Sequence, residues 1–303
     1  MGGRTNRPEM TLEYAARTIL TDDDGDDHFS PSDYMRLSNL IGEEVGIKLP
    51  PSKRLMVEGR LRKRVRALGL PSFNAYCTHL FKQDGLKSER PHLINAVTTN
   101  KTDFFREPEH FTYLTRTMVP QLLAARANER NPLLKLWSAA SSTGAEAYTL
   151  AMVLADAAAT SGDFRYAILG TDISTTVLEQ GQRAVYSAEV IAPVPAELQS
   201  RYVMRSRKPG LRPDVRIVPE LRRLVRFAQL NLMDRAYPVD HDVDVIFLRN
   251  VLIYFEKSDQ EAVIRRLIDH LRPGGYLVLG HSESMIGTSV TMRQVAPAVF
   301  QKV

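Results

Sequence analysis

A short stretch, Leu133 to Glu146, concentrates chemistry-bearing residues: L-L-K-L-W-S-A-A-S-S-T-G-A-E. An apolar run gives way to small residues, and Gly144 opens a helical segment, A-E-A-Y-T-L-A-M-V-L. This is the first strand, loop and helix of a nucleotide-type α/β fold. A dinucleotide fold needs G-x-G-x-x-G here, so that backbone can close on a pyrophosphate at the helix N-terminus. This loop has a single glycine, and Glu146 stands in the first helical turn. A carboxylate there repels phosphate and suits a cationic ligand. S-adenosylmethionine, with a sulfonium and an ammonium group, is one; a Glu that merely complements the helix dipole is the alternative. Asp172 follows Ile168-Leu169-Gly170-Thr171. An acid at that place accepts hydrogen bonds from ribose hydroxyls, or caps the next helix.

The elements that must position these residues are legible in the pattern. Strands are predicted at 133–139, 166–171, 224–230, 243–249, 275–280 and 297–302, and helices at 144–160, 174–184 and 257–272. Such alternation implies a mostly parallel sheet covered on both faces. Between Gln182 and Arg226 the alternation breaks, with five prolines, many charges and β-prone pieces such as Val215 to Val218. That is too long for a plain connection and reads as an inserted β-rich subdomain. Upstream, Ser30-Pro31-Ser32-Asp33 starts a helix, with Tyr34, Leu37, Leu40 and Ile41 at helical spacing. A second helix begins near Pro51-Ser52 and carries Leu55, Met56, Leu61, Val65 and Leu68. Between them lie Lys53, Arg54, Arg60, Arg62, Lys63, Arg64 and Arg66 against a single Glu58. A face of one sign suggests an acidic partner, although a solvated basic helix has the same look. Helices from Ser72 to about Phe81 and from near Arg90 complete a small helical unit, and one more runs from Pro108 to about Asn128. The division is a tail at 1–29, a helical domain at 30–96, a linker and helix at 97–131, and an α/β domain at 132–303 with its insertion at about 183–226.

Composition narrows the classes. The chain has 303 residues and a formal net charge of +5, a modest excess that permits an acidic partner without choosing one. No apolar run reaches membrane-span length, and the N-terminus lacks an apolar signal core, which predicts a cytoplasmic protein. Cys77 is the one cysteine, so an internal disulfide framework and a Cys-rich zinc site are excluded. The seven histidines show no metal-ligand spacing, and His281 reads as a turn residue. The acidic run Asp22, Asp23, Asp24, Gly25, Asp26, Asp27 reads as a solvated tail.

The motifs N-K-T-D-F-F-R-E (Asn100 to Glu107), S-A-A-S-S-T-G-A-E-A-Y-T-L-A (Ser138 to Ala151), G-T-D-I-S (Gly170 to Ser174), Asn231-Leu232, F-L-R-N-V-L-I-Y-F (Phe247 to Phe255) and L-R-P-G-G-Y-L-V-L-G-H-S-E stand in one order. As a set they resemble the chemotaxis receptor methyltransferases of the CheR family, over about residues 30 to 303. The resemblance implies a class I S-adenosylmethionine-dependent methyltransferase: a Rossmann-like α/β sheet, an N-terminal all-helical domain and an inserted β-subdomain. It implies methylation of glutamate side chains on the cytoplasmic domain of bacterial chemoreceptors, giving γ-methyl esters, with no metal. Carried over by position, cofactor contacts are Asn100, Thr102, Arg106, Glu146, Asp172, Asn231, Leu232, Arg249 and Asn250. Arg106 and Tyr254 lie by the transferred methyl. The basic face of Lys53, Arg60, Arg62, Lys63 and Arg66 docks on the receptor. In some members the β-subdomain also takes a receptor C-terminal peptide as an added strand. A monomer recruited to membrane receptor arrays is expected, with no nucleic acid and no membrane insertion. The loop departs from the family's usual G-E-E-P-Y; here it is Gly144-Ala145-Glu146-Ala147-Tyr148.

Two other classes compete. A nucleic-acid methyltransferase shares the cofactor, but Arg249-Asn250-Val251-Leu252 stands where an amino-directed enzyme has Asn/Asp-Pro-Pro-Tyr/Phe, and Cys77 is in the wrong domain for a cytosine-C5 nucleophile. A cofactor-binding signalling module with little activity is opposed by the presence of Arg106, Glu146, Asp172 and Tyr254.

Overall fold

A computed structural model describes residues 27–161, 164–205, 214–285 and 290–303. The run from Asp22 to Asp26 lies outside them, as do residues 206–213 of the insertion.

Four helices come first: α1 (Pro31–Val45), α2 (Arg54–Ala67), α3 (Phe73–Lys82) and α4 (Leu86–Val97). Ser30 caps α1 through its hydroxyl, which accepts the Asp33 N–H at 3.1 Å. The helix ends at Gly46, whose φ of 72° suits glycine; an added Cβ would come within 2.7 Å of Met233 Sδ in the α/β domain. Helix α2 is phased differently from the expectation. Its buried stripe is Val57, Glu58, Leu61 and Val65, whereas Leu55 is 66% exposed. The cause is Glu58. Its carboxylate accepts the Phe29 N–H at 2.9 Å, contacts His28 Nδ1 at 2.7 Å, and has Arg54 at 3.5 Å. A hydrogen-bonded acid is thereby accommodated where an apolar residue would be expected. The chain is already packed at Asp27, whose carboxylate accepts the Phe73 N–H at 3.0 and 3.1 Å, and Phe29 is buried.

Helices α5 (Glu109–Tyr113) and α6 (Val119–Ala124) are joined by a π-helical turn, Leu114–Met118. Pro120, which has no N–H to give, stands at the start of α6. The α/β part then runs β1 (Leu133–Ala139), α7 (Ala145–Ser161), β2 (Arg165–Asp172) and α8 (Thr175–Arg183). The insertion follows: β3 (Val185–Ser187), α9 (Ala188–Ile191), α10 (Ala196–Tyr202), β4 (Val203–Arg205), β5 (Asp214–Ile217) and α11 (Pro219–Arg222). The chain closes with β6 (Val225–Gln229), β7 (Val243–Leu248), α12 (Lys257–His270), β8 (Leu271–Leu279), β9 (Arg293–Ala296) and β10 (Val299–Gln301).

The main sheet has seven strands in the order β6-β2-β1-β7-β8-β10-β9. The strands from β6 to β8 are parallel, and β10 is antiparallel to both β8 and β9. Side chains alternate across it. Leu134, Leu136, Val245 and Phe247 pack with α5 to α7 on one face, and Trp137, Ala139, Ile246 and Leu248 pack with α12 on the other. Strand order reverses between β1 and β7, so the crevice at their carboxyl ends is the place for a ligand. The insertion is an antiparallel sheet, β3-β5-β4. Among the described residues it has no separate core: Tyr186, Ile191, Val215 and Ile217 join the core beneath α7.

Candidate active site

The loop after β1 carries the first surprise. Ala140 (φ 57°), Ser142 (φ 51°) and Gly144 (φ 86°) all adopt the left-handed region, at alternate positions. The backbone follows a glycine-rich path although only one residue is glycine, and each L-residue there costs roughly 1–2 kcal/mol. Neighbours hold it. The Ser141 N–H donates to the Thr171 carbonyl at 2.8 Å, and the Ser142 N–H to Asp172 Oδ2 at 2.9 Å. The Ser142 hydroxyl donates to the Asn100 carbonyl at 2.8 Å, and the Tyr186 hydroxyl to the Thr143 carbonyl at 2.7 Å. The insertion therefore braces the loop from outside.

Asp172 is not the N-cap of α8; Ser174 is. The second Asp172 oxygen accepts the Ser174 N–H at 2.9 Å. Burial raises its pKa, opposed by backbone N–H groups. A carboxylate has about four acceptor sites, so acceptor capacity remains for a hydroxyl donor beside the backbone N–H groups of Ser142, Ile173 and Ser174. Glu146 is also buried. It accepts the Ser138 hydroxyl at 2.7 Å on one oxygen and Arg249 Nε at 2.7 Å on the other. This acid binds a cation of the chain itself, a partner that the dipole reading did not supply.

Arg249 is 9% exposed and heavily engaged. Its two terminal nitrogens donate to the Arg106 carbonyl, each at 2.8 Å, and its guanidinium lies 5.2 Å from the Phe111 ring centroid. It thus fixes the backbone of the 105–107 segment, where Phe105 (φ 55°) and Glu107 (φ 53°) are left-handed on either side of Arg106. The Arg106 side chain remains half-buried, and the Lys101 carbonyl at 3.4 Å is its hydrogen-bond acceptor among the described residues.

Around this crevice one cavity is lined by all nine expected cofactor residues, Asn100, Thr102, Arg106, Glu146, Asp172, Asn231, Leu232, Arg249 and Asn250, together with Tyr254. They do not reach it alike. The Asn231 side-chain amide donates to the Glu44 carbonyl at 2.7 Å, and its oxygen accepts the Met233 N–H at 2.9 Å, so that side chain joins α1 to the α/β domain. The Asn100 amide donates to the Thr98 hydroxyl at 3.3 Å.

Helical-domain residues line the same cavity: Ile47, Leu49 and Met56, which no sequence motif announced as site residues, and Lys53, which was expected on the docking face. Another cavity group is Ser141 Oγ, which is buried and has no hydrogen-bond partner among the described residues. An orphaned hydroxyl in a cavity that two carboxylates also line is a set of polar groups that fits a polar, partly cationic ligand such as S-adenosylmethionine.

Of the basic residues expected to dock a partner, Lys53, Arg60, Lys63 and Arg66 are exposed. Arg60 Nη1 donates to the carbonyls of Ala96, Val97 and Thr98 at 3.2, 3.3 and 3.0 Å, closing the C-terminus of α4. Arg62 lies 5.3 Å from the Phe73 ring centroid, and Arg64 forms a bidentate pair with buried Glu89. Arg60, Arg62 and Arg64, three of the seven basic residues, thus have structural contacts within the helical domain.

Glu107, His110 and His281 bring ligand-capable atoms within 4.8 Å of one another, a grouping the histidine spacing did not suggest. Arg249 stands 3.2 Å from His110 Nδ1 and 3.7 Å from Glu107 Oε2, so its guanidinium already lies against two of the three groups. Burial, then the charge of Arg249, push the His110 imidazole down to about 4. Glu283 was also missed; the motif ending G-H-S-E contained it without indicating a task.

The strand order, the crevice at the β1/β7 reversal and the acids after β1 and β2 define a class I S-adenosylmethionine-dependent methyltransferase. Residues 100–299 match the family description "CheR methyltransferase, SAM binding domain", and residues 32–98 match "CheR methyltransferase, all-alpha domain". The chain is 38% identical over 273 residues to chemotaxis protein methyltransferase 2 of Pseudomonas aeruginosa, covering 90% of this chain and 94% of that one. It is 40% identical over 257 residues to chemotaxis protein methyltransferase of Escherichia coli, covering 84% and 85%. The chain belongs to the CheR family of S-adenosylmethionine-dependent chemotaxis methyltransferases, and a nucleic-acid methyltransferase is not favoured. Among the described residues no helix is long and apolar enough to cross a membrane.

Proposed function

We propose that this enzyme methylates glutamate side chains on the cytoplasmic domain of chemoreceptors, forming glutamate γ-methyl esters. One observation carries the choice of a carboxylate acceptor. Of the two cavity arginines, Arg249 is neutralised by Glu146, whereas Arg106 presents a half-buried guanidinium whose acceptor among the described residues is a single carbonyl. A cation in that state suits an anionic nucleophile, held by charge-assisted hydrogen bonds.

Bound S-adenosylmethionine supplies a methyl group on a sulfonium, open to in-line displacement. Asp172 would accept hydroxyl donors of the cofactor, and the Ser141 hydroxyl would meet a polar group of it. Glu146, already paired, contributes shape and the position of Arg249. A glutamate carboxylate, with a pKa near ~4.3, is ionised at neutral pH and needs no general base. The chain's task is alignment and water exclusion. Arg106 shares itself between cofactor and acceptor and must not grip the acceptor too well, because charge is lost as transfer proceeds and uniform binding gives no rate. Tyr254 orients donor or acceptor through its hydroxyl. The exposed Lys53, Lys63 and Arg66 steer an acidic receptor helix towards the cavity. Strand β4, an edge of the small sheet, is where a receptor C-terminal peptide adds as a strand. Work in the cytoplasm at receptor arrays follows from this reading.

Purified enzyme, labelled S-adenosylmethionine and receptor-containing membranes test it. Receptor label released as methanol by mild base, and lost with Arg106→Ala, is expected. Cofactor binding with no receptor label would overturn the acceptor assignment.

A further inference from the structure

The turn after β8 holds a carboxylate with an unusual set of partners. Glu283 is 7% exposed, and its two oxygens accept four backbone N–H groups. Oε1 takes Val251 at 2.8 Å and Leu252 at 2.7 Å; Oε2 takes Asn250 and Gly280, each at 2.8 Å. Among the described residues no cationic side chain pairs with it. Three of the four donors are consecutive, at the end of β7, and together they form a concave anion site filled by the chain's own carboxylate.

The place of this site gives it meaning. Asn250 is left-handed at φ 60°, a conformation that persists in an L-residue only when its surroundings impose it. Here the carboxylate holds its N–H and the next two. Asn250 then extends its amide to Glu107 Oε1 at 3.3 Å, next to Arg106. From Leu252 a 3-10 turn leads to Tyr254, whose carbonyl accepts the Lys48 N–H at 3.1 Å from the helical domain. The two loops touch without slack, because a Cβ added at Gly280 would meet Asn250 Nδ2 at 2.6 Å and Glu283 Oε2 at 3.0 Å.

We propose that Glu283 is a positioning residue for methyl transfer: an internal anion that fastens the 250–252 backbone and thereby sets Asn250 and Tyr254 in the cavity wall. The inference rests on the reading of Tyr254 as part of the methyl-transfer site.

Glu283→Gln tests it, since the amide keeps the volume but turns an NH2 against two N–H donors. Glu283→Asp keeps the charge with a shorter reach. A misplacement of about 1 Å costs roughly 100-fold, so kcat on receptor membranes should fall at least about tenfold in Glu283→Gln, with KM for receptor changed less than about threefold. Glu283→Asp should lie between that variant and wild type. Amide exchange at 250–252 should quicken in both variants. Wild-type kcat in folded Glu283→Gln, or unaltered exchange at 250–252, overturns the proposal. If Glu283→Gln does not fold, Glu283→Asp decides by the same two readouts. Should wild type itself fail to label receptors, the acceptor assignment fails instead, and exchange together with S-adenosylhomocysteine affinity decides for Glu283: faster exchange with weaker affinity supports it, and no change in either overturns it.

Discussion

The Glu146–Arg249 pair offers the sharpest test of how the site is built. Position alone makes Glu146 a ligand contact, whereas the geometry makes it first the counterion of a buried arginine. Glu146→Gln keeps the volume, and its carbonyl can accept Arg249 Nε while its NH2 donates to the Ser138 oxygen, so what is removed is the counter-charge and with it the charge-assisted bond to Arg249, now at 2.7 Å. Losing a hydrogen bond to a charged group costs about 1.5–3 kcal/mol. Leaving a buried charge unpaired costs about 3–5 kcal/mol. Arg249 is not left entirely alone, because Glu107 Oε2 stands at 3.7 Å and the Arg106 carbonyl remains in place. The lower end is therefore expected, about 2–3 kcal/mol. At roughly 2–4 °C per kcal/mol for a domain of this size, the thermal midpoint should fall by about 4–12 °C without ligand. Scanning calorimetry of the ligand-free enzyme reads this directly. In Arg249→Met the additional loss from Glu146→Gln should shrink to under about 1 kcal/mol, because the partner is gone. An unchanged ligand-free midpoint combined with weakened cofactor binding would refute the reasoning and return Glu146 to a pure ligand contact.

Arg60→Ala should weaken S-adenosylhomocysteine binding about threefold to fivefold in the isolated enzyme, because closing α4 is worth about 0.5–1 kcal/mol and the chain leaves α4 directly for the cavity wall at 98–102. Titration calorimetry checks it, and a variant impaired only towards receptors would make Arg60 a docking residue alone. The His110 imidazole, held down to about 4 against an ordinary 6.5, lets the unfolded chain bind the proton first as pH falls. Stability from this group is complete above pH 6.5 and is lost as pH falls through about 4, by about 3 kcal/mol in all; a midpoint falling equally steeply in His110→Phe between pH 6.5 and 4 would remove His110 as the cause.

Much of the fold could be read from local pattern. The strand-loop-helix at Leu133 to Glu146 was legible because an apolar run, small residues and a glycine are local events, and β1 begins and ends where that run does. Glu146, Asp172, Asn231, Leu232, Arg249 and Asn250 follow recognisable strands, whose carboxyl ends the fold gathers, whereas Asn100, Thr102 and Arg106 lie on no strand and were named by the family resemblance alone; all nine line one cavity. Helix α2 shows where such reading stops. Its phase depended on burying Glu58, which became tolerable only through His28 and Phe29, far away in the chain. Basic residues of one sign looked alike in sequence, yet Arg60 and Arg64 have fixed partners on α4, at Ala96 to Thr98 and at Glu89.

Sequence by itself determined the elements, the sheet's parallel character and the acids at its carboxyl edge, since these follow from periodicity and from residue type at strand ends. Tertiary structure decided which of those charges are available. Whether a carboxylate or guanidinium meets a ligand or another part of the chain depends on partners more than a hundred residues away, as between Glu146 and Arg249. It also decided that Ala140 and Ser142 take a glycine's path, because only the hydrogen bonds from β2, Asn100 and the insertion offset the strain.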